Sequence, residues 1–270
     1  MSNTDKKFVI ETRALQKSYA IDRAPVTALQ DISFGIEEGQ FITLVGPSGC
    51  GKSSLLQILG GLLDATGGQV LVDGVQIDGP SPGKISLVFQ DATLLPWKTS
   101  LQNIEFPLEI QGVEKEERLK RSRDMLQLVG LSDFADRYPH ELSGGMKQRV
   151  SIARGLVQNP RIILMDEPFG ALDEQTRIKM GQELLQIWER TRKTIFMITH
   201  SLTEALYLSD KVLVMSKRPG RIIDVIDVDL PRPRTYDMMG SAEFGAARNR
   251  IWRLITEGDE NTGGQGLAEL

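Results

Sequence analysis

A glycine-rich segment at residues 46–53 has the residue types that bind phosphate groups. Its sequence is Gly46-Pro47-Ser48-Gly49-Cys50-Gly51-Lys52-Ser53. The glycines let backbone N–H groups turn inward, and a lysine and a hydroxyl follow at the spacing that a nucleoside triphosphate requires. We therefore expect Lys52 to pair with β- and γ-phosphate oxygens and the Ser53 hydroxyl to hold Mg²⁺. The alternative is a glycine-rich turn with an incidental lysine.

A second glycine-rich segment, Leu142-Ser143-Gly144-Gly145-Met146-Lys147-Gln148-Arg149, begins a stretch with helical apolar periodicity. Ser143 is placed to cap this helix, and Gly144 and Gly145 expose backbone N–H groups at its positive end. Such a helix start can face the terminal phosphate of a nucleotide. An ordinary capped helix after a glycine turn is the competing interpretation.

Two adjacent carboxylates, Asp166 and Glu167, follow the apolar run of residues 162–165, and Pro168 then ends the strand. Adjacent residues that leave a strand point in different directions, so the two side chains can have different roles. We expect Asp166 to bind Mg²⁺ and Glu167 to orient and polarise an attacking water. An acidic pair that is only solvated is the alternative for this segment considered alone.

The chain has two histidines, His140 and His200. His200 follows another apolar run, residues 195–198, where it could contact the γ-phosphate and the water that Glu167 orients. A single histidine is more often structural, so its spacing alone leaves both roles open. His140 precedes the second glycine pair, and a structural and an interface role are equally open for it.

The elements that must position these residues alternate between strand-like and helix-like patterns. Strand-like runs cover residues 41–45, 70–72, 85–89, 162–165, 194–198 and 211–215, and helices begin at Lys52 and after Asp173. This alternation predicts an α/β protein whose parallel sheet carries its functional groups at the carboxyl ends of the strands. Residues 8–35 alternate more like antiparallel strands.

Two further segments differ from this core. Residues 90–140 have helix patterns and no convincing strand, which predicts an inserted helical subdomain. Within it, residues 114–129 have helical apolar periodicity, and Gly130 predicts the end of that helix. Residues 257–270 include Gly263-Gly264-Gln265-Gly266, and we expect a disordered tail there.

The composition narrows the class of protein. With 270 residues and 40% hydrophobic content the chain can bury a large core. A formal net charge of −4 argues against a general nucleic-acid binder, which usually has a basic surplus. Cys50 is the only cysteine, so no internal disulfide is possible. No apolar run approaches the roughly 18 residues of a membrane span, and we expect the chain to stay in the cytoplasm.

These segments, in this order from Tyr19 to about Leu254, resemble the nucleotide-binding subunit of an ABC (ATP-binding cassette) transporter. The resemblance implies ATP and Mg²⁺ as cofactors and an α/β ABC ATPase fold. That fold has a P-loop parallel-sheet core, an N-terminal antiparallel β subdomain and an inserted α-helical subdomain at about residues 91–150. All of these lie within an ABC ATPase domain of residues 7–256.

The resemblance also implies roles for individual residues. Tyr19 matches the aromatic that stacks on adenine, Gln90 the Q-loop glutamine, and Asp173 the D-loop aspartate, although Gly170 stands where many relatives have serine. The implied catalytic residues are Glu167, His200, Lys52 and Gln90, and the implied Mg²⁺ ligands are Ser53, Gln90 and Asp166. The implied ATP-binding residues are Tyr19, Gly46, Pro47, Ser48, Gly49, Cys50, Gly51, Lys52, Ser53, Ser54, Gln90, Asp166, Ser143, Gly144, Gly145, Gln148 and Asp173.

In this family the serine-glycine turn serves the ATP of the opposite subunit, so two copies sandwich two ATP molecules head to tail. The implied partners are a second copy, membrane-spanning permease subunits and, indirectly, a solute-binding protein, at the cytoplasmic face of the inner membrane. Leu94-Leu95-Pro96-Trp97 could seat a short helix of the permease, with residues 106–110 nearby, and local packing is the alternative.

The finer resemblance is to importers of nitrate, sulfonate, taurine or related small anions. Four segments carry it: Leu94-Leu95-Pro96-Trp97, residues 142–149 with Met146, Arg218-Pro219-Gly220-Arg221, and Leu230-Pro231-Arg232-Pro233-Arg234. An ATPase of a lipid-handling or efflux complex shares every nucleotide residue and remains an alternative. A soluble ABC protein acting on nucleic acid or ribosomes is a second alternative, but such proteins usually carry two cassettes, and we expect no nucleic-acid partner.

Overall fold

The computed structural model describes residues 8–21 and 24–257, which form two compact units. The first unit contains residues up to 80 and from 198 onward, and the second contains residues 81–197. The elements in chain order are β1 (Phe8–Ile21), β2 (Ala24–Glu37), β3 (Phe41–Val45), α1 (Lys52–Leu59), β4 (Gly67–Val72), β5 (Val75–Gln76), β6 (Ile85–Val88), α2 (Ser100–Ile110), α3 (Lys115–Leu128), α4 (Gly144–Leu156), β7 (Ile162–Asp166), α5 (Glu174–Thr191), β8 (Thr194–Ile198), α6 (Leu202–Leu208), β9 (Lys211–Met215), β10 (Ile222–Asp227) and α7 (Ala242–Glu257).

The first unit begins with an antiparallel sheet of order β2-β1-β4-β5. Strands β1 and β2 pair along most of their length, from Phe8 opposite Glu37 to Ile21 opposite Ala24. The antiparallel expectation for residues 8–35 is therefore confirmed. The strand at residues 70–72 was expected in the parallel sheet, but it pairs antiparallel with β1. Its apolar residues could pack on either sheet, so the sequence did not distinguish the two.

The remaining strands of the first unit run in the order β10-β9-β3. Strand β3 is parallel to β9, and all five of its residues are buried, as its continuous apolar run predicts. Strand β10 is antiparallel to β9 and was not expected from the sequence. It lies at the sheet edge and alternates exposed with more buried residues, so it lacks the fully apolar run of its neighbours.

The second unit contains strands in the order β8-β7-β6, of which β6 and β7 are parallel, and helices α2 to α5. Helices α2, α3 and α4 pack on one another, and residues 90–140 contain no strand, as expected. Helix α3 ends just before Gly130, whose φ of +68° suits the residue that follows a helix. The chain returns to the first unit at Ile198, the last residue of β8.

Helix α7 extends through Glu257, the first residue of the expected tail, whereas residues 258–270 lie outside the described residues. Among the helices that the structure describes, none combines the length and the apolar character that crossing a bilayer requires.

Candidate functional site

The phosphate loop of the first unit joins β3 to α1 and depends on glycine at several positions. Gly49 and Gly51 have φ values of +73° and +107°, in the region that other residues rarely adopt. A Cβ on Gly51 would lie 2.7 Å from Leu29 Cδ2, and one on Gly46 would lie 2.8 Å from the Met215 carbonyl oxygen. The loop therefore packs closely against Leu29 and Met215, and larger residues at positions 46 and 51 would displace it.

Lys52 is buried at the first position of α1. Its Nζ donates hydrogen bonds to the carbonyl oxygens of Gly46 and Pro47, both at 2.9 Å. These bonds hold the ammonium at the opening of the phosphate loop, where phosphate oxygens can replace the carbonyls. Ser53 follows it with its side chain exposed on the first helical turn.

Cys50 lies within the same loop, but its thiol is turned inward and buried. Burial is the main cause that raises the pKa of this thiol, because the thiolate loses its solvation. Any phosphate contact from Cys50 must therefore come from its backbone N–H.

Tyr19 stands beside the start of α1. Its hydroxyl oxygen lies 2.9 Å from Ser54 Oγ, in a hydrogen bond that either group can donate. Lys17 Nζ lies 5.1 Å from the centroid of the tyrosine ring and donates to the Asp64 carbonyl at 2.7 Å. The expected adenine-stacking residue is thus fixed next to the phosphate loop by its hydroxyl.

His200 is exposed and belongs to the same unit as the phosphate loop. The preceding residue, Thr199, donates its N–H to the Leu44 carbonyl at 3.2 Å, two residues before the loop begins at Gly46. Ser201 caps α6 by accepting from the N–H of Glu204. These contacts hold the backbone on both sides of His200 at the carboxyl end of β3.

Asp166 and Glu167 lie at the end of β7 in the second unit. Asp166 is the last strand residue, and Glu167 has a φ of +43°, an unfavourable backbone conformation for glutamate. The Glu167 carbonyl accepts a hydrogen bond from the N–H of Gly170 at 2.9 Å, which closes a turn, and Phe169 within that turn is fully buried. Backbone strain of this kind is concentrated at functional sites.

Gln90 lies next to the turn that follows Glu167. Its Nε2 would be only 2.9 Å from a Cβ built on Gly170. A side chain at position 170 would therefore require the Gln90 amide to shift. The second unit therefore brings Gln90, the acidic pair Asp166-Glu167 and residues 170–173, which we call the D-loop segment, together.

The second glycine-rich turn begins α4 as expected. Ser143 is the N-cap, and its Oγ accepts a hydrogen bond from the Met146 N–H at 3.3 Å. Ser143 and Gly144 are exposed, so the N–H groups of this helix start are accessible to a ligand. A Cβ on Gly144 would lie 3.4 Å from Leu172 Cδ2, so this turn packs beside the D-loop segment.

Asp173 caps the next helix, α5, by accepting from the Thr176 N–H at 3.0 Å. This hydrogen bond is the main cause that lowers the pKa of the Asp173 carboxyl below its usual range. A Cβ on Gly145 would lie 3.3 Å from Thr176 Cγ2. The serine-glycine turn and Asp173 thus belong to one surface of the second unit.

Gln148, expected at the nucleotide, is buried instead, and its Nε2 donates to the Phe89 carbonyl at 3.3 Å. Arg154, further along α4, donates to the carbonyl oxygens of Ala92 at 2.8 Å and Thr93 at 2.9 Å. Helix α4 therefore holds the segment around Gln90 from both sides. Sequence reasoning missed Arg154, because one arginine on a helix carries no signal of a distant loop.

Replacement of Arg154 by alanine should lower the free energy of unfolding by roughly 1–3 kcal/mol, because two loop carbonyls lose a charged donor. Urea denaturation of the purified protein measures this change. Arg123→Ala on the exposed face of α3 is the matched control and should change stability by less than about 0.5 kcal/mol. Equal stabilities of the two variants would show that Arg154 does not support the loop.

The side chains predicted to hold Mg²⁺ are each of a suitable chemical type. Ser53 has a hydroxyl, Asp166 a carboxylate and Gln90 an amide oxygen, and Mg²⁺ prefers oxygen ligands. Within residues 8–21 and 24–257 there is no group of three His, Cys, Asp or Glu residues that could hold a metal ion by themselves.

A glycine-rich loop between a buried strand and a helix that begins with lysine defines a P-loop nucleotide-binding protein. The family model described as ABC transporter matches residues 29–170. An uncharacterized ABC transporter ATP-binding protein of Methanocaldococcus jannaschii is 45% identical over 93% of this chain and 92% of its own length. The chain therefore belongs to the ABC transporter ATP-binding family, whose members bind and hydrolyse ATP.

Two named importer subunits are also similar. The taurine import ATP-binding protein TauB of Rhizobium johnstonii is 49% identical over 85% of this chain and 89% of its own length. The nitrate import ATP-binding protein NrtD of Synechocystis is 44% identical over 91% of this chain and 94% of its own length.

A solved structure confirms the ABC ATPase fold. It is the dimeric post-hydrolysis state of the ATP-binding cassette MJ0796 bound to ADP and phosphate, with a TM-score of 0.72 and 33% identity. The match covers 82% of this chain and 100% of that one. This chain is thus an ABC-type ATP hydrolase.

Proposed function

We propose that this chain is the ATP-binding subunit of an importer for nitrate, sulfonate, taurine or a related small anion. The supporting observation is that relatives named as taurine and nitrate import ATP-binding proteins are 42–49% identical over 82–91% of this chain. The substrate itself is recognised elsewhere, by the permease subunits and a solute-binding protein. The subunit then acts at the cytoplasmic face of the inner membrane.

We propose that residues 46–54 hold the ATP phosphates and that Tyr19 stacks on the adenine. Lys52 exchanges its two carbonyl partners for β- and γ-phosphate oxygens, and its buried position strengthens that attraction. Ser53, Asp166 and Gln90 would hold Mg²⁺, which would neutralise phosphate charge.

Glu167 is the proposed general base. Its carboxylate orients the attacking water and accepts its proton as the water oxygen bonds to the γ-phosphorus. The bond between that phosphorus and the β–γ bridging oxygen breaks in the same step, and ADP leaves. His200 contacts the γ-phosphate, where it favours one position of the attacking water. The rigid turn after β7 keeps the carboxylate in place during this step, since Phe169 is fully buried.

A second copy of the chain supplies the Ser143-Gly144-Gly145 turn in this proposal, and two copies enclose two ATP molecules head to tail. The exposed helix start of α4 and the capped Asp173 segment beside it form the surface that meets the other copy. ATP bridges the copies, and hydrolysis with phosphate release removes that bridge. The cycle is then a shift between closed and open dimers.

The permease subunits are proposed to contact the helical subdomain of residues 91–150, within an ATPase domain of residues 7–256. Trp97 is 70% exposed, and Ile110 at the end of α2 is 71% exposed. Asn103 is buried and donates to the carbonyl oxygens of Leu95, Lys98 and Thr99. The segment that presents Trp97 is therefore rigid, and its exposed ring favours a partner over local packing.

We expect Trp97→Glu to abolish uptake and co-purification with the permease, because a charge at the centre of an apolar contact is costly to desolvate. ATP hydrolysis by the isolated subunit should stay unchanged. Trp252→Glu on α7 is the matched control, since Trp252 is 60% exposed, and this variant should restore uptake.

Uptake of labelled nitrate, sulfonates and taurine is measured in a strain that lacks this gene and is complemented with each variant. Normal uptake of all three anions by the strain without the gene would contradict the importer proposal. Co-purification of an exporter or a lipid-handling membrane protein would favour the alternative that the chain is the ATPase of an efflux or lipid-handling complex. A ribosome-bound pool would favour a soluble ABC protein that acts on ribosomes.

A further inference from the structure

The loop between β9 and β10, residues 216–221, lies against the phosphate loop within the first unit. The Arg218 guanidinium donates two hydrogen bonds to the Gly49 carbonyl, from Nη2 at 2.8 Å and from Nε at 3.2 Å. Gly220 lies against the next carbonyl, since a Cβ there would be 2.3 Å from the Cys50 oxygen. We call residues 216–221 the supporting loop.

The supporting loop is itself anchored to strand β2. The Gly220 N–H donates to the Ala28 carbonyl at 2.8 Å, and the Gln30 N–H donates to the Gly220 carbonyl at 3.0 Å. These two backbone hydrogen bonds hold the loop, and Arg221 adds only an exposed side-chain contact, to Gln30 Oε1 at 2.7 Å. The position of Arg218 is therefore determined by a rigid strand rather than by the phosphate loop that it contacts.

These contacts orient two peptide groups of the phosphate loop. In a trans peptide the carbonyl and the N–H point in opposite directions. Because Arg218 holds the Gly49 carbonyl, the Cys50 N–H of the same peptide points away from the supporting loop. The Gly51 N–H is directed in the same way, since the Cys50 carbonyl faces Gly220. Aligned N–H groups of this kind form the anion-binding face of a phosphate loop.

We propose that Arg218 is a positioning residue for ATP, which preorganises the phosphate loop by holding the Gly49 carbonyl. It acts through the backbone of residues 49–51 and before the nucleotide binds. Without it, the two peptides can rotate, and part of the binding energy of ATP is used to reorder them. The inference rests on the proposal that residues 46–54 hold the ATP phosphates.

The test compares Arg218→Ala with Arg221→Ala, which removes the same guanidinium from the same loop but from a contact with β2. Arg218→Ala should raise the KM for ATP roughly three- to tenfold, the effect of losing a charged hydrogen bond at an exposed site, with a smaller change in kcat. Arg218→Gln, which retains an amide donor, should recover part of the loss. Arg221→Ala should remain within about twofold of the wild type.

Hydrogen exchange of the nucleotide-free protein separates positioning from direct contact with ATP. Arg218→Ala should speed exchange in the peptide that covers residues 45–53, and Arg221→Ala should not. Gly220→Ala should raise the KM as well, because its methyl group would displace the Cys50 carbonyl. Thermal melting of each variant identifies any general loss of folding.

Unchanged exchange and an unchanged KM in Arg218→Ala would overturn the inference, as would a raised KM with unchanged exchange. Lys52→Ala distinguishes this outcome from failure of the phosphate-loop proposal. If Lys52→Ala loses ATP affinity while Arg218→Ala does not, only the inference about Arg218 is wrong. If Lys52→Ala binds ATP as well as the wild type, both are wrong.

Discussion

The Glu167→Gln variant should bind ATP at least as tightly as the wild type and hydrolyse it at least about a hundredfold more slowly. Glutamine has the shape of glutamate but cannot accept a proton from the attacking water. The substitution also removes one negative charge beside the γ-phosphate, which strengthens ATP binding. Because hydrolysis no longer removes the bridging phosphate, we expect the ATP-bound dimer to accumulate.

Phosphate release measures the turnover of this variant, and size-exclusion chromatography with light scattering measures its dimer fraction with ATP and with ADP. Glu174→Gln is the matched control, since Glu174 is an exposed carboxylate at the start of α5 and its loss removes the same charge. The control should keep normal turnover and a transient dimer. Normal turnover in Glu167→Gln would exclude Glu167 as the base.

The Ser143→Arg variant should bind ATP as a monomer yet fail to dimerise and to hydrolyse it at the normal rate. Ser143 is exposed at the N-terminus of α4, so the long arginine side chain projects from the surface proposed to meet the second copy. It would cover the N–H groups of Gly144 and Gly145 and block access of the partner's γ-phosphate. We expect turnover to fall by at least about tenfold, in proportion to the lost dimer.

Loss of the helix cap alone must be separated from this steric effect. Ser143→Ala removes the hydrogen bond to the Met146 N–H, which typically costs about 1 kcal/mol of stability, but leaves the surface open. This control should keep most of the ATP-dependent dimer. A fluorescent ATP analogue measures binding to the monomer. Wild-type turnover in Ser143→Arg would show that the serine-glycine turn has only a structural role.

Local patterns predicted those parts of the fold that local physics determines. Strands β3, β7 and β8 lie where their continuous apolar runs place them, because a strand covered on both faces needs apolar residues at every position. Helix α4 begins at the predicted cap, since Ser143 satisfies an N–H group that has no partner within the helix. The positions of the phosphate loop and the acidic pair follow from the same elements.

Contacts between distant segments could not be predicted in this way. The strand at residues 70–72 was assigned to the wrong sheet, because its composition does not specify its partner. Strand β10 was missed, since an edge strand with polar alternate positions lacks a distinctive run. The hydrogen bonds of Gln148 and Arg154 to residues 89–93 join positions about 60 residues apart, for which no local spacing exists.

The sequence by itself predicted the chemistry of this protein: which residues are expected to hold a triphosphate and which carboxylates are expected to act on water. It also determined where each of them stands relative to a strand or helix end. Only the tertiary structure decided what supports those residues. The hydrogen bond from Arg154 to Ala92 and the contact of Arg218 with Gly49 both depend on backbone carbonyls brought close by folding. Every residue carries the same carbonyl group, so no residue type in the sequence marks such an acceptor.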